Sequence, residues 1–369
     1  MFNKTFLFLM AFLLPMAANA SNVKYEYGGA LRTAAGYADP SGNFLSGQNR
    51  FHAPMNGNLN GAAIYNFNDN TSFKLGLELK AKTGSNSDNL NFGHYGEEVY
   101  GKLQTAYGDF YVGQMQNPAA LLGVVQPNLA IWQISPTEVA DFMENPNWQH
   151  HNRRKYYSTL TSAQINTDGS SFKFAYFTPE FAGTTLALGF TPENNANDGL
   201  TSKFSPYYNQ SAYHIALYNS HEFGFADTEF YLAYADFNHS HREYAGGISV
   251  YRRGLTLFAA YRQTESYDHA ITDTSLSANL PAYYDAFRNG FAVSGGASYE
   301  FALLTSALSY FEAKADNLPA RTRLITLHNS IKPYKHLVFY LGGGYAEFTD
   351  AEHHENRGPL VYGGLEISF

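Results

Sequence analysis

Glu138, Asp141 and Glu144 step by three behind Ser135-Pro136-Thr137-Glu138, which places a Ser N-cap, a Pro at the first helical position and a Glu at the third. A helix begun there and stopped by Asn145-Pro146 fans the three carboxyls across one face and puts Val139, Phe142 and Met143 on the other. Carboxylates arranged in this way do electrostatic work. Set against basic groups across a narrow aqueous gap, they create a transverse field that orders water and ions and penalises apolar solutes. One parity of the early chain supplies the basic groups: Lys24, Arg32, Lys74, Lys80 and Lys102, with Arg32, Lys80 and Lys102 nearest mid-strand. Any one of these lysines read alone is an ordinary wet-face charge.

Other constellations carry less. Ser240 between His239 and His241 offers pieces of a hydrolase, but no hydrolase signature surrounds them. The pairs His150-His151, His239 with His241, and His353-His354 suggest metal binding. Adjacent histidines rarely aim both rings at one ion, however, and solvated loop histidines are the plainer reading. Acidic segments such as Asp350 to Glu355 still offer carboxylate oxygens to divalent ions. The 369 residues contain no cysteine, which removes disulfides, thiolate metal sites and thiol nucleophiles. Basic residues are scattered and outnumbered, 24 against 32 acidic for a net charge of −8, which argues against a nucleic-acid face.

The elements that must position these charges are strands. Phe73, Leu75, Leu77, Leu79 and Ala81 alternate with Lys74, Gly76, Glu78, Lys80 and Lys82, the period of a half-buried strand. The period recurs from Val23 to Thr33 and from Val99 to Thr105. Further on it runs through Leu255 to Tyr261, Phe291 to Tyr299, and Val361 to Phe369. Ala62 to Phe67, Glu229 to Phe237 and Leu303 to Phe311 carry apolar residues on both parities and read as blurred strands. Short connections such as Asn68-Asp69-Asn70 and Arg252-Arg253-Gly254 alternate with longer ones such as Ala38 to Asn60 and Glu265 to Asn289. The rhythm predicts an all-β, 16-stranded antiparallel transmembrane barrel with short turns at one end and long loops at the other. Such a barrel encloses water. A sandwich would use similar turns at both ends, and no propeller repeat is found. Mean hydropathy is −0.32, and the mature chain has no run of about 20 apolar residues that a spanning helix needs.

Residues 1–20 read as a signal peptide: Lys4, an apolar stretch from Phe6 to Leu14, and Ala18-Asn19-Ala20, with cleavage expected after Ala20. Residues 21–369 then form a single barrel domain. Asn117 to Ser170 far exceeds the length at which an unstructured loop is expected, about 12–15 residues. Leu121, Leu122, Val124, Ile131, Trp132 and Phe142 make it too apolar for disorder. This segment, about 117–170, is expected to fold into the barrel as a long third loop.

Tyr107-Gly108-Asp109-Phe110-Tyr111-Val112-Gly113-Gln114, followed by Asn117-Pro118, resembles the turn and fifth strand of Gram-negative trimeric general porins, just before their inward-folded constriction loop. Phe174-Ala175-Tyr176-Phe177-Thr178-Pro179-Glu180-Phe181-Ala182-Gly183 resembles the strand and turn that follow it, and the alternation ending in Phe369 is similar to the family's C-terminal signature. Gln114 stands where many relatives carry Arg, and the Pro-Glu-Phe-Gly-Gly type turn is absent. The resemblance implies an outer-membrane homotrimer, each protomer a water-filled channel for passive diffusion of ions and small hydrophilic solutes, with no cofactor and no enzymatic activity. It carries the family's acidic loop onto Glu138, Asp141 and Glu144 and its basic wall onto Arg32, Lys80 and Lys102. It further implies trimer contacts including Leu75, Leu77, Val361 and Leu365, contact with outer-membrane lipid and lipopolysaccharide, and assembly by barrel machinery reading Phe369. Two other functions fit the same barrel. One is a sugar- or anion-selective porin whose aromatic slide would draw on the 29 Tyr and 29 Phe; the other is an outer-membrane barrel hydrolase.

Overall fold

Hydrocarbon satisfies no backbone N–H or C=O, so a spanning sheet must pair both of its edges. The computed structural model describes residues 22–44, 50–83, 93–123, 139–140, 142–151, 154–157, 159–193, 211–238, 241–266, 289–316 and 318–369, and in it the sheet does close. The expected signal peptide lies outside the described residues. The wall begins with β1 (Val23–Ala38), β2 (Phe51–His52), β3 (Met55–Asn68), β4 (Thr71–Thr83), β5 (Gly93–Thr105) and β6 (Gly108–Gln114). Within the long connection lies a separate hairpin, β7 (Trp148–His151) and β8 (Arg154–Tyr157). The wall resumes with β9 (Phe172–Phe177), β10 (Thr184–Thr191), β11 (Ala212–Phe223), β12 (Ala226–Phe237), β13 (His241–Arg252) and β14 (Leu255–Ser266). It ends with β15 (Gly290–Phe301), β16 (Leu304–Ala315), β17 (Arg321–Tyr334), β18 (Leu337–Thr349) and β19 (Glu355–Ser368).

Every wall strand pairs antiparallel with its neighbours, and β1 closes the ring on β19 from Ala30↔Ser368 to Ala38↔Leu360. Gly29 and Phe369 exchange backbone hydrogen bonds of 3.1 and 3.0 Å at the seam. Because β2 and β3 both pair with β1, they act as one interrupted strand, and the wall has the sixteen strands that the spacing predicts. Within Ala38 to Asn60, expected as a loop, β2 and the first six residues of β3 are sheet. Phe51, Met55 and Leu59 face outward there, while Asn56, Asn58 and Asn60 face the lumen.

Alternation separates the two faces. Outward positions carry exposed Leu188, Leu232, Leu308, Leu327 and Leu341, as a lipid-facing band requires. Many inward positions of β11 to β18 are small: Ala216, Ala233, Ala245, Ala260, Ala292 and Ala346 are all buried. Two short turns need left-handed backbone at both central residues, Ala182-Gly183 (φ 50° and 75°) and Arg253-Gly254 (φ 49° and 86°). That pair of angles matches the right-handed twist of the flanking strands.

Small inward side chains leave room for the long connection to lie inside. Its first piece is α1 (Pro118–Leu121), with Asn117 as N-cap accepting from the Ala120 N–H at 2.8 Å and Pro at the first helical position. Ala119 and Ile165 then pack on Ala212, Ala216, Tyr231 and Ala235. Farther along, Val139, Phe142 and Met143 are buried against β1 and β17 to β19, among them Ala34, Leu324, Tyr340 and Tyr362. These three are the apolar face expected of the acidic helix. A turn is closed there by hydrogen bonds from Phe142 N and Met143 N to Val139 O, both 2.9 Å, while the expected helix start at 135–138 lies outside the described residues. Phe142 stacks on Tyr362 at 5.2 Å, and its ring lies so close to the wall that a Cβ on Gly36 would sit 2.6 Å from it.

Candidate functional site

Two buried ionic clamps fasten the returning arm of the segment to the wall. Asp168 is fully buried, with Lys173 Nζ at 3.3 Å, His214 Nε2 at 3.0 Å and a hydrogen bond from Thr191 Oγ1 at 2.7 Å. Asn117 donates to Asp168 Oδ1 at 2.6 Å and to Ile165 O at 3.1 Å, so a single side chain caps α1 and holds the far end of the segment. Burial opposes charge on Asp168, but the Lys173 ammonium, the adjacent His214 ring and the Thr191 hydroxyl outweigh it. They hold the carboxyl well below the usual aspartate range. Lys173 also donates to the carbonyls of Gly169 and Ser171, at 2.6 and 2.9 Å.

The second clamp is Glu243 with Arg262. Glu243 accepts from Arg262 at 2.8 Å and from Thr167 Oγ1 at 2.6 Å, and its Oε1 lies 2.8 Å from His241 Nε2. The other arm of the guanidinium donates to Gln164 O at 2.6 Å and Asn166 Oδ1 at 2.9 Å. Across the lumen the segment has smaller ties: Asn147 Nδ2 donates to Arg321 O at 3.0 Å, and Asn356 Nδ2 to Glu144 O at 2.7 Å.

With the segment lying against β11 to β19 and the second half of β1, the inward residues from Lys24 to Arg32 on β1, most of those on β3 to β6, and Glu366 at the end of β19 keep exposure to the lumen and make one open wall. The basic residues singled out from the sequence stand on this open wall, each beside a carboxylate of the same wall. Arg32 pairs with Glu366 at 2.5 Å, Lys80 with Glu78 at 3.2 Å, and Lys102 with Asp109 at 2.7 Å. Lys24 and Lys74 share Glu26, at 2.8 and 3.4 Å. With Glu98 included, the carboxylates named here equal the cations in number, five of each, so this set carries no net charge. Glu144 is half-buried at the end of the segment's helical turn, while Glu138 and Asp141 lie outside the described residues.

The sequence reading missed the clamps, although Lys173, His214, Glu243 and Arg262 all sit on the inward parity of their strands, where a polar residue between alanines is a signal. Of the histidines considered for metal, His241 is bonded to Glu243, and His354 Nδ1 lies 2.9 Å from Asp350 Oδ2. Among the described residues no group of three or more His, Asp or Glu could hold a metal ion. His239 and Ser240 lie outside the described residues.

The geometry is that of a closed, water-lined barrel narrowed from within, and comparison with known proteins gives it relatives. A family model described as Gram-negative porin matches residues 7–352. No curated protein matches the chain in sequence. Among solved structures, the chain is similar to an anion-selective porin from Comamonas acidovorans at 13% identity and a TM-score of 0.57, covering 94% of this chain and 100% of that one. A loop L8 deletion mutant of OmpT, an outer membrane protein of Vibrio cholerae, aligns at 11% identity and 0.57, with 95% and 100% covered. A triple mutant of Rhodopseudomonas blastica porin aligns at 12% and 0.56, with 94% and 100% covered.

Proposed function

We propose, from the premise that this chain belongs to the Gram-negative porin family, how its channel is narrowed and which solutes it favours. The protein is an outer-membrane porin whose water-filled barrel passes ions and small hydrophilic solutes by diffusion. Its constriction lies between the folded-in segment 117–170 and the wall that carries Arg32, Lys80 and Lys102. The observation behind this reading is that the wall is self-paired: each of the three cations has a carboxylate of the same wall beside it. A neutral wall leaves Glu138, Asp141 and Glu144 to set the sign of the local potential, so the channel prefers small cations. It turns over no substrate. Three copies assemble through outward faces that include Leu75, Leu77, Val361 and Leu365. The mature chain begins at Ser21 after signal cleavage, barrel assembly machinery reads the strand ending in Phe369, and lipopolysaccharide surrounds the outer rim.

The test is planar-bilayer recording of the purified protein in a KCl gradient. The wild type should conduct in steps grouped by three, with a reversal potential on the cation side. The variant E138Q/D141N/E144Q should move that potential toward zero. An unmoved potential would remove the segment's acids from the constriction, and absence of conductance would refute the channel itself.

A further inference from the structure

Glu98 breaks the pattern of its wall. It stands on β5 directly opposite Glu78 on β4, two carboxylates in register on the lumen face. Like charges so placed repel across the ladder. Glu78 has Lys80 at 3.2 Å, but no ion pair forms to Glu98 among the described residues, and its Oε1 has no hydrogen-bond partner. Glu98 is 8% exposed. Gln116 hydrogen-bonds its carboxyl, while Lys80 and Lys173 act on it only at longer range. A carboxylate removed from water, set opposite another and left with one oxygen unpaired, lacks a directly bonded cation among the described residues.

We infer that Glu98 and Glu78 form a binding station for a hard, oxygen-seeking divalent cation in the wall of the pore, with calcium as its probe. The chemistry fits: two carboxylates in one ladder step offer oxygens to one ion, and water completes the shell of a calcium that favours six to eight such ligands. Two protein ligands make a weak, exchangeable site, as a conducting lumen requires. Lys80 competes for Glu78, so Glu98 carries the larger share. This inference rests on the channel reading above.

The experiment records single-channel current in KCl while CaCl2 is titrated. The wild type should show a saturating fall in current and a reversal potential shifted toward zero. E98Q should raise the half-effect concentration tenfold or more, and E78Q should raise it less. E347Q, on the outward face of β18, should match the wild type. Conductance steps in any of these proteins support the channel reading independently. A calcium response that is absent in the wild type, or equal in wild type, E98Q and E78Q, would overturn the station alone. If E98Q forms no channels, E78Q reads the same site, and a half-effect concentration unchanged in it would overturn the station as well.

Discussion

Arg262 holds the backbone of residues 164–167 and the carboxylate of Glu243 at the same time, using both arms of its guanidinium. A lysine at this position would present one compact ammonium and lose the planar fork. Removing one partner of a buried pair also leaves the other charge uncompensated, at a cost of about 3–5 kcal/mol. R262M should therefore release the returning arm while the barrel stays closed. The expected outcome is protease cleavage near residues 162–168 in R262M and intact wild type under the same conditions; equal resistance would show that Arg262 is not a clamp. Asp168 makes a distinct prediction about pH. Its folded carboxyl is held below the ordinary value of about 3.9, so its contribution is fully present above that value and is lost only as pH falls below it. The gap in protease resistance between wild type and D168N should stay constant from pH 8 to pH 5 and close only in stronger acid. A gap that closes between pH 7 and pH 5 would show that the clamp does not depend on the Asp168 charge. Neither clamp was legible as a unit, because Asp168, Lys173 and His214 become neighbours only through strand register. The expectation for Glu138, Asp141 and Glu144 comes from a helix start and a spacing of three, and Glu138 and Asp141 lie outside the described residues.

Strands were legible because period two survives wherever lipid lies on one side and water on the other, as from Phe73 to Lys82. It was harder to see where the lumen side carries asparagine. Asn56, Asn58 and Asn60 resemble a loop in composition, and only the outward Phe51, Met55 and Leu59 betray sheet. The hairpin of β7 and β8 escaped notice because it is short and serves the segment, not the wall. Docking of that segment depends on a fit between two elements: Phe142 lies on the face of Tyr362, and Gly36 of β1 supplies the missing side chain that lets the ring approach. A valine at Gly36 would place its Cβ 2.6 Å from the ring, and the clash exceeds what a packed contact absorbs. G36V should expel Phe142 and widen the lumen, seen as a rise in single-channel conductance. F142A should do the same by deleting the knob, with about 3–5 kcal/mol of docking lost. Unchanged conductance in both would mean that the arm ending at Asn147 does not depend on this contact.

For the molecule as a whole, closure is the property from which the others follow, since an open edge in lipid would leave a strand's worth of backbone groups unpaired. The seam joins the first strand of the wall to the last, through Tyr37↔Val361 and Ala38↔Leu360 among others, and Arg32 reaches across it to Glu366. Because the chain has no cysteine, the seam can be tested without background thiols. Tyr37 and Val361 face outward at one ladder step, and paired residues stand about 4.5–5.5 Å apart at Cα, inside the range a disulfide spans. Y37C/V361C should oxidise to a circular chain that migrates differently in denaturing gels from its reduced form. Y37C/L360C should not, because a shift of one residue turns the second thiol into the lumen. Crosslinking in both pairs would indicate a mobile seam, and crosslinking in neither would indicate an open one. The same logic links the seam to the pore: with the wall closed on a fixed register, inward parity decides which charges meet in water. The neutral ladder of Lys24 to Lys102, the clamps at Asp168 and Glu243, and the unpaired oxygen of Glu98 all depend on that one parity.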